Sequence, residues 1–147
     1  MGLKRQREAV ATMARILVVD DHHHIQQLVG FHLAKAGHEV EMAGDGVVGL
    51  QKVVSFSPEI ILLDWVMPNM SGMEMMERLQ ADDAHRQIPV VFLTAKSQDA
   101  DVAEGWSSGA SWYLTKPFNP ADLLSIVARV LEASKEAGDG SGHTSEA

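Results

Sequence analysis

The 147 residues include no cysteine, which excludes disulfides and thiolate metal centres and suits a reducing compartment. Positive charge is in deficit. Twelve Lys and Arg face twenty Asp and Glu, for a formal net charge of −8, whereas a general affinity for nucleic acid needs a basic surface. No stretch approaches the ~18 uninterrupted apolar residues of a membrane span. Lys4, Arg5 and Arg7 precede Ala9-Val10-Ala11 in the manner of a leader, but Arg15 and Asp20 interrupt the apolar run that would follow. No nucleic-acid binding, no membrane insertion and a cytoplasmic location are therefore expected. Apolar residues make up 46%, enough for one domain with a full core.

That apolar content is arranged in two alternating periods. Unbroken apolar runs at 15–20 and 60–64 each end in acid, at Asp20 and Asp64, and read as strands covered on both faces. Residues 22–36 carry Ile25, Leu28, Val29, His32 and Leu33 at helical spacing, closed by Gly37. A more polar strand at 38–43 suits a sheet edge. Val47, Leu50 and Val54 mark a helix over 46–55. Ser71 and Glu74 form a capping box that opens a helix to about Gln80. A buried strand follows at 88–94, a weaker helix at 98–108 and a short strand at 111–115. Asn119-Pro120 then opens a last helix with Leu123, Leu124, Ile126, Val127, Val130 and Leu131 on one face. Five strand–helix units without an internal linker predict an α/β fold. The expected form is a doubly wound, five-stranded parallel sheet of flavodoxin-like order 2-1-3-4-5. Residues 1–13 read as a flexible extension, 14–134 as the domain, and 135–147, with Gly138, Gly140 and Gly142, as a flexible tail.

Ligands of such sheets bind beyond the carboxyl ends of the strands. Asp20 and Asp21, Asp64, Thr94 and Lys116 all arrive at that edge. Three carboxylates packed together repel one another, and a hard divalent cation such as Mg²⁺ relieves them. Lys116 adds a positive point charge and Thr94 a hydroxyl. Carboxylate nucleophile, metal, lysine and hydroxyl are the parts needed for phosphoryl transfer to an aspartate.

The segments Ile16-Leu-Val-Val-Asp-Asp21, Leu62-Leu-Asp-Trp-Val-Met-Pro-Asn-Met-Ser-Gly72, Ile88-Pro-Val-Val-Phe-Leu-Thr-Ala95 and Gly109-Ala-Ser-Trp-Tyr-Leu-Thr-Lys-Pro-Phe118 carry a family resemblance. In order and spacing, the chain resembles a response-regulator receiver domain of two-component signalling from about residue 15 to 133. The resemblance implies that Asp64 accepts a phosphoryl group from a sensor histidine kinase or a histidine phosphotransfer protein. It implies that Asp21, Asp64 and the Val66 backbone carbonyl bind Mg²⁺, with Asp20 acting mainly through water. Thr94 and Lys116 would contact the phosphoryl oxygens, the Lys116–Pro117 peptide would be cis, and Tyr113 would be the aromatic switch partnering Thr94. A stand-alone receiver is expected, a signalling module rather than a metabolic enzyme. Its output would go to a downstream protein target over the surface of the fourth helix, fifth strand and fifth helix, where Trp106 and Trp112 offer apolar anchors, or onward to a phosphotransfer histidine in a relay. The alternatives are a haloacid-dehalogenase-type phosphatase, whose second acid would fall at Val66, and a receiver-like interaction module that works without phosphorylation.

Departures from the family pattern are local. His22-His23-His24 stands where acidic and proline residues are usual; neighbouring side chains point apart, so a solvated turn is expected rather than a metal site. Ser111-Trp112 replaces an acidic pair. Gly44-Asp-Gly-Val-Val-Gly49 matches a dinucleotide-binding fingerprint but follows the second strand, so it reads as a turn and helix cap. Met73 and Met76 lie at core spacing, while Met70 and Met75 are left open. Val66 and Lys96 flank the expected path of an attacking water. Trp65, beside Asp64, is expected to report on metal binding.

Overall fold

β-Branched and leucine-rich segments that are apolar on both faces form strands wherever helices cover both sides. The computed structural model describes residues 13–95 and 111–139. Its strands are β1 (Arg15–Val19), β2 (Glu39–Ala43), β3 (Ile60–Asp64), β4 (Val90–Ala95) and β5 (Trp112–Lys116). All neighbours are parallel, in the order β2-β1-β3-β4-β5. This is the doubly wound, flavodoxin-like sheet expected. Four helices are described: α1 (His23–Lys35), α2 (Gly46–Phe56), α3 (Gly72–Gln80) and α4 (Pro120–Asp139). The helix expected over 98–108, with Trp106, and Lys96 lie outside the described residues, as does the extension over 1–12.

The alternation of side chains along each strand splits the core in two. Leu17, Val19, Ile61, Leu63 and Phe92 pack with residues of α2 and α3 on one face. Ile16, Val18, Leu62, Leu93 and Leu114 pack with α1 and α4 on the other. The central strand β3 is buried throughout. β2, more polar and half-buried, is an edge strand as its composition predicts.

Local signals place the ends well. Gly37 has φ +99, a conformation that lets the chain leave α1 where an L side chain would be strained. Asp45 caps α2 by accepting from the Val48 N–H (2.9 Å), which confirms the cap reading of the glycine-rich stretch. Ser71 and Glu74 form the reciprocal capping box of α3. Asn119 Oδ1 accepts from the Asp122 N–H (2.8 Å), with Pro120 opening α4.

Three expectations are corrected. The periodicity predicts that the last helix ends by 134, leaving 135–147 as a tail; α4 instead runs to Asp139. Lys135, Glu136 and Ala137 are good helix formers, and only Gly138 opposes them before that point. On α2 the expected stripe is turned by one residue. Val47 and Val54 are exposed, whereas Gly46, Gly49 and Val53 are buried. A Cβ on Gly49 would meet Met75 and Val19 at 3.0–3.1 Å, so the helix lies against its neighbours through its glycines. The methionines follow from this. Met75 and Met76 are fully buried, Met70 nearly so, and Met73 only partly. Leu28 of α1, expected in the core, is more than one-third exposed.

Candidate functional site

β1 and β3 are neighbours, so the residues ending them meet at one edge. Asp20 follows β1 directly. Its N–H donates to the Ala43 carbonyl (3.0 Å) and its side chain is fully buried. Asp64, the last residue of β3, is 4% exposed. Lys116 ends β5 two strands away, and its long side chain spans the gap. Its Nζ donates to Asp20 Oδ2 (2.9 Å) and to Asp64 Oδ1 (3.3 Å). One cation thus joins two buried carboxylates, the arrangement that makes their burial tolerable. Asp64 Oδ2 is buried and has no hydrogen-bond partner among the described residues.

Asp64 is electrostatically strained. Its pKa is pushed up to about 6, first by burial and next by the charge of Asp20, while Lys116 and the Val66 N–H pull it down. Asp21, by contrast, is partly exposed at the rim. Thr94 lies fully buried in β4, beside Thr115 in register, and its Oγ1 donates to the Ala95 carbonyl (3.1 Å). The Lys116–Pro117 peptide is cis, as the resemblance implies. Val66 is exposed next to the site, and Tyr113, opposite Phe92 in register, is 37% exposed on β5. Trp65 turns away from this edge. Its indole is buried and packs edge-on against Phe92 (centroids 4.6 Å apart), so it reaches the site only through the backbone.

The loop after β3 is fixed by close backbone packing. Gly72 donates to the Trp65 carbonyl (3.0 Å), and a Cβ there would collide with the Asp64 carbonyl oxygen. The turn includes Asn69 at φ +71, whose Nδ2 donates to Asp45 Oδ2 (2.9 Å). The turn that follows Asp64 is therefore braced from the start of α2 as well as from α3.

One residue that sequence reasoning set aside belongs here. His22 Nδ1 lies 3.0 Å from Asp20 Oδ1, 3.4 Å from Asp21 Oδ1 and 3.9 Å from Asp64 Oδ2. Its own N–H donates to Asp20 Oδ1 (2.8 Å), a short local turn that aims the ring inward. The three histidines do not all point apart: the His24 ring lies edge-on against that of His22, and His22 points into the cluster. Its position as the residue directly after a strand-end acid pair was the available signal.

The donor set suits a hard divalent cation: three carboxylates converge, and one buried oxygen has no partner among the described residues. With His22, the candidate ligand atoms lie within 4.8 Å of one another. Among the described residues no helix is long and apolar enough to cross a membrane.

Comparison with known proteins agrees with this geometry. Residues 16–128 match the response regulator receiver domain family. The master transcriptional regulator RpaA of Synechocystis is 37% identical over 90% of this chain and 55% of its own length. The phosphate regulon regulator PhoB of Pseudomonas aeruginosa is 37% identical over 85% of this chain and 53% of its own. The chain thus spans about half the length of these relatives. The structure of the chemotaxis protein CheY4 of Vibrio cholerae superposes with a TM-score of 0.76 at 37% identity, covering 80% of this chain and 98% of that one. By sequence, fold and the acids at its sheet edge, the chain belongs to the response regulator receiver domain family.

Proposed function

We propose that this receiver accepts a phosphoryl group on Asp64 and uses it to switch a protein-binding surface. The observation that carries the reading is the Lys116 ammonium held between Asp20 and Asp64 while Asp64 Oδ2 stays buried without a partner among the described residues. In the proposed step, Asp64 Oδ1, the oxygen beside Lys116, attacks the phosphorus of a phosphohistidine. A P–O bond forms as the P–N bond breaks, and the departing imidazole recovers its proton from solvent. Lys116 then offsets charge on the phosphoryl oxygens, and the Thr94 hydroxyl turns from the Ala95 carbonyl toward them. Asp21, Asp64 and the Val66 carbonyl would hold a Mg²⁺ ion, with Asp20 behind them; when bound, the ion supplies positive charge for the phosphoryl group.

The donor would be a sensor histidine kinase or a histidine phosphotransfer protein, and the setting cytoplasmic. The chain would act as a signalling module that catalyses only its own phosphorylation and dephosphorylation. Output would pass to a protein partner over the β5 face, where Tyr113 and Trp112 are exposed. A haloacid-dehalogenase-type phosphatase is disfavoured by Val66, which stands where that chemistry needs an acid. Incubation with acetyl phosphate and Mg²⁺ followed by intact-mass measurement tests the proposal. One phosphoryl group should appear on the wild type and none on Asp64→Asn. Phosphate retained elsewhere in that variant would overturn the assignment.

A further inference from the structure

On the reading of Asp20, Asp21 and Asp64 as a metal-binding cluster, we propose that His22 supplies its Nδ1 as an additional ligand, so that the site prefers first-row transition ions to magnesium. The acids alone make an all-oxygen site, which suits Mg²⁺. An imidazole nitrogen changes that preference. Nitrogen donors favour transition ions, with affinity rising along the Irving–Williams order, whereas Mg²⁺ keeps its oxygen shell.

The geometry places this nitrogen among the carboxylates rather than beside them. Two ligand atoms that each lie about 2.1 Å from one ion are roughly 3.0–3.4 Å apart for right-angled to tetrahedral arrangements. His22 Nδ1 is 3.4 Å from Asp21 Oδ1, one of the ligands proposed above, while Asp20 Oδ1, 3.0 Å away, stands behind them and accepts the His22 N–H. Nδ1 is also within hydrogen-bond distance of Asp20 Oδ1, a bond that needs the proton on Nδ1, so binding an ion moves that proton to Nε2 or releases it and frees the Nδ1 lone pair. The ring position is set by backbone, since the His22 N–H bonds Asp20 Oδ1 and His22 itself is the N-cap of α1. A second, independent observation also points to an ion. Asp64 Oδ2 is buried, has no partner among the described residues, and lies 3.9 Å from the same nitrogen. His24 packs edge-on against His22 with ring centroids 5.8 Å apart, yet neither His23 nor His24 joins the cluster.

The test uses Mn²⁺ and Mg²⁺ as probes on the full chain, in wild type, His22→Ala, a His23→Ala/His24→Ala control and Asp64→Asn. Affinities are measured by calorimetry, and bound Mn²⁺ by pulsed electron paramagnetic resonance. We expect ¹⁴N modulation on Mn²⁺ bound to the wild type and to the control. His22→Ala should lose that signal and about tenfold or more in Mn²⁺ affinity, with Mg²⁺ affinity nearly unchanged. Unchanged Mn²⁺ affinity in His22→Ala, or no nitrogen signal in the wild type, overturns the proposal. Asp64→Asn separates the two readings. If it weakens both ions while His22→Ala weakens neither, only the role of His22 fails. If both ions bind Asp64→Asn as tightly as wild type, the acid site itself fails. Near-UV circular dichroism of each variant verifies that it is folded.

Discussion

Asp64 holds a proton more tightly in the folded chain, with a pKa of about 6 against 3.8 in the open chain. Between those values the native state therefore binds more protons than the unfolded state, and stability falls as pH rises. Above about pH 6 the full cost of an ionised, buried carboxylate is present. A gap of roughly two pH units corresponds to on the order of 3 kcal/mol. Asp64→Asn removes the charge while keeping the shape. In a chelator-containing buffer, the variant should exceed the wild type in stability by about 1–3 kcal/mol at pH 8. That margin should shrink through pH 6 and vanish near pH 4. Thermal or urea denaturation across this range checks it, and parallel profiles would show that burial of Asp64 carries no such cost. On the proposed function, the phosphoryl acceptor would thus be kept at the expense of stability.

The loop from β3 into α3 shows how element ends hold that group in place. Ser71→Ala should remove one half of the capping box and cost about 1 kcal/mol by chemical denaturation. Gly72→Ala is of a different kind, because the added methyl would strike the Asp64 carbonyl oxygen, a backbone atom that cannot move aside cheaply. Its expected cost is about 2–4 kcal/mol, together with slower phosphorylation, since Asp64 would have to shift. Gly30→Ala is the useful contrast. There the methyl meets only the tip of Met42, which has other rotamers, and helix propensity gains up to about 1 kcal/mol. A Gly72→Ala protein as stable as wild type would mean the loop can relax away from β3.

Across the whole molecule, Lys116 connects segments 96 and 52 residues apart in the chain, tying β5 to the ends of β1 and β3. Lys116→Ala leaves two buried carboxylates facing each other without a cation, for an expected loss of about 3–5 kcal/mol. Adding Asp64→Asn to that variant should recover much of the loss, and the double-mutant cycle measures the coupling. Additive effects would place the two residues in separate environments. The same strand carries the proposed switch. Tyr113 is 37% exposed in this structure, and an inward turn would bury its ring further as Thr94 moves toward the phosphoryl group. Tyr113→Ala should leave acetyl-phosphate labelling of Asp64 intact while reducing the phosphate dependence of partner capture. Unchanged dependence would remove Tyr113 from the switch. The leverage of phosphorylation equals its differential interaction with the two arrangements.

The five-stranded parallel class and the arrival of Asp20, Asp64, Thr94 and Lys116 at strand carboxyl ends were legible because they rest on period and spacing, whereas the order 2-1-3-4-5 was taken from the flavodoxin-like form. Unbroken apolar runs ending in acid define buried strands, and a parallel sheet brings all their carboxyl ends to one edge. Caps at Asp45, Ser71 and Asn119 were legible too, since each is a bond within a few residues. What the sequence left undecided depended on contacts between distant segments. Periodicity treats glycine as neutral, so it could not tell that Gly46 and Gly49 would bring α2 against Met70 and Met75 and turn Val47 and Val54 outward. Composition could not say which of three adjacent histidines would be turned by the Asp20 carboxylate into a cluster completed 42 residues later. Local bonding determined the elements; pairing and packing between them decided their order in the sheet and which side chains the site contains.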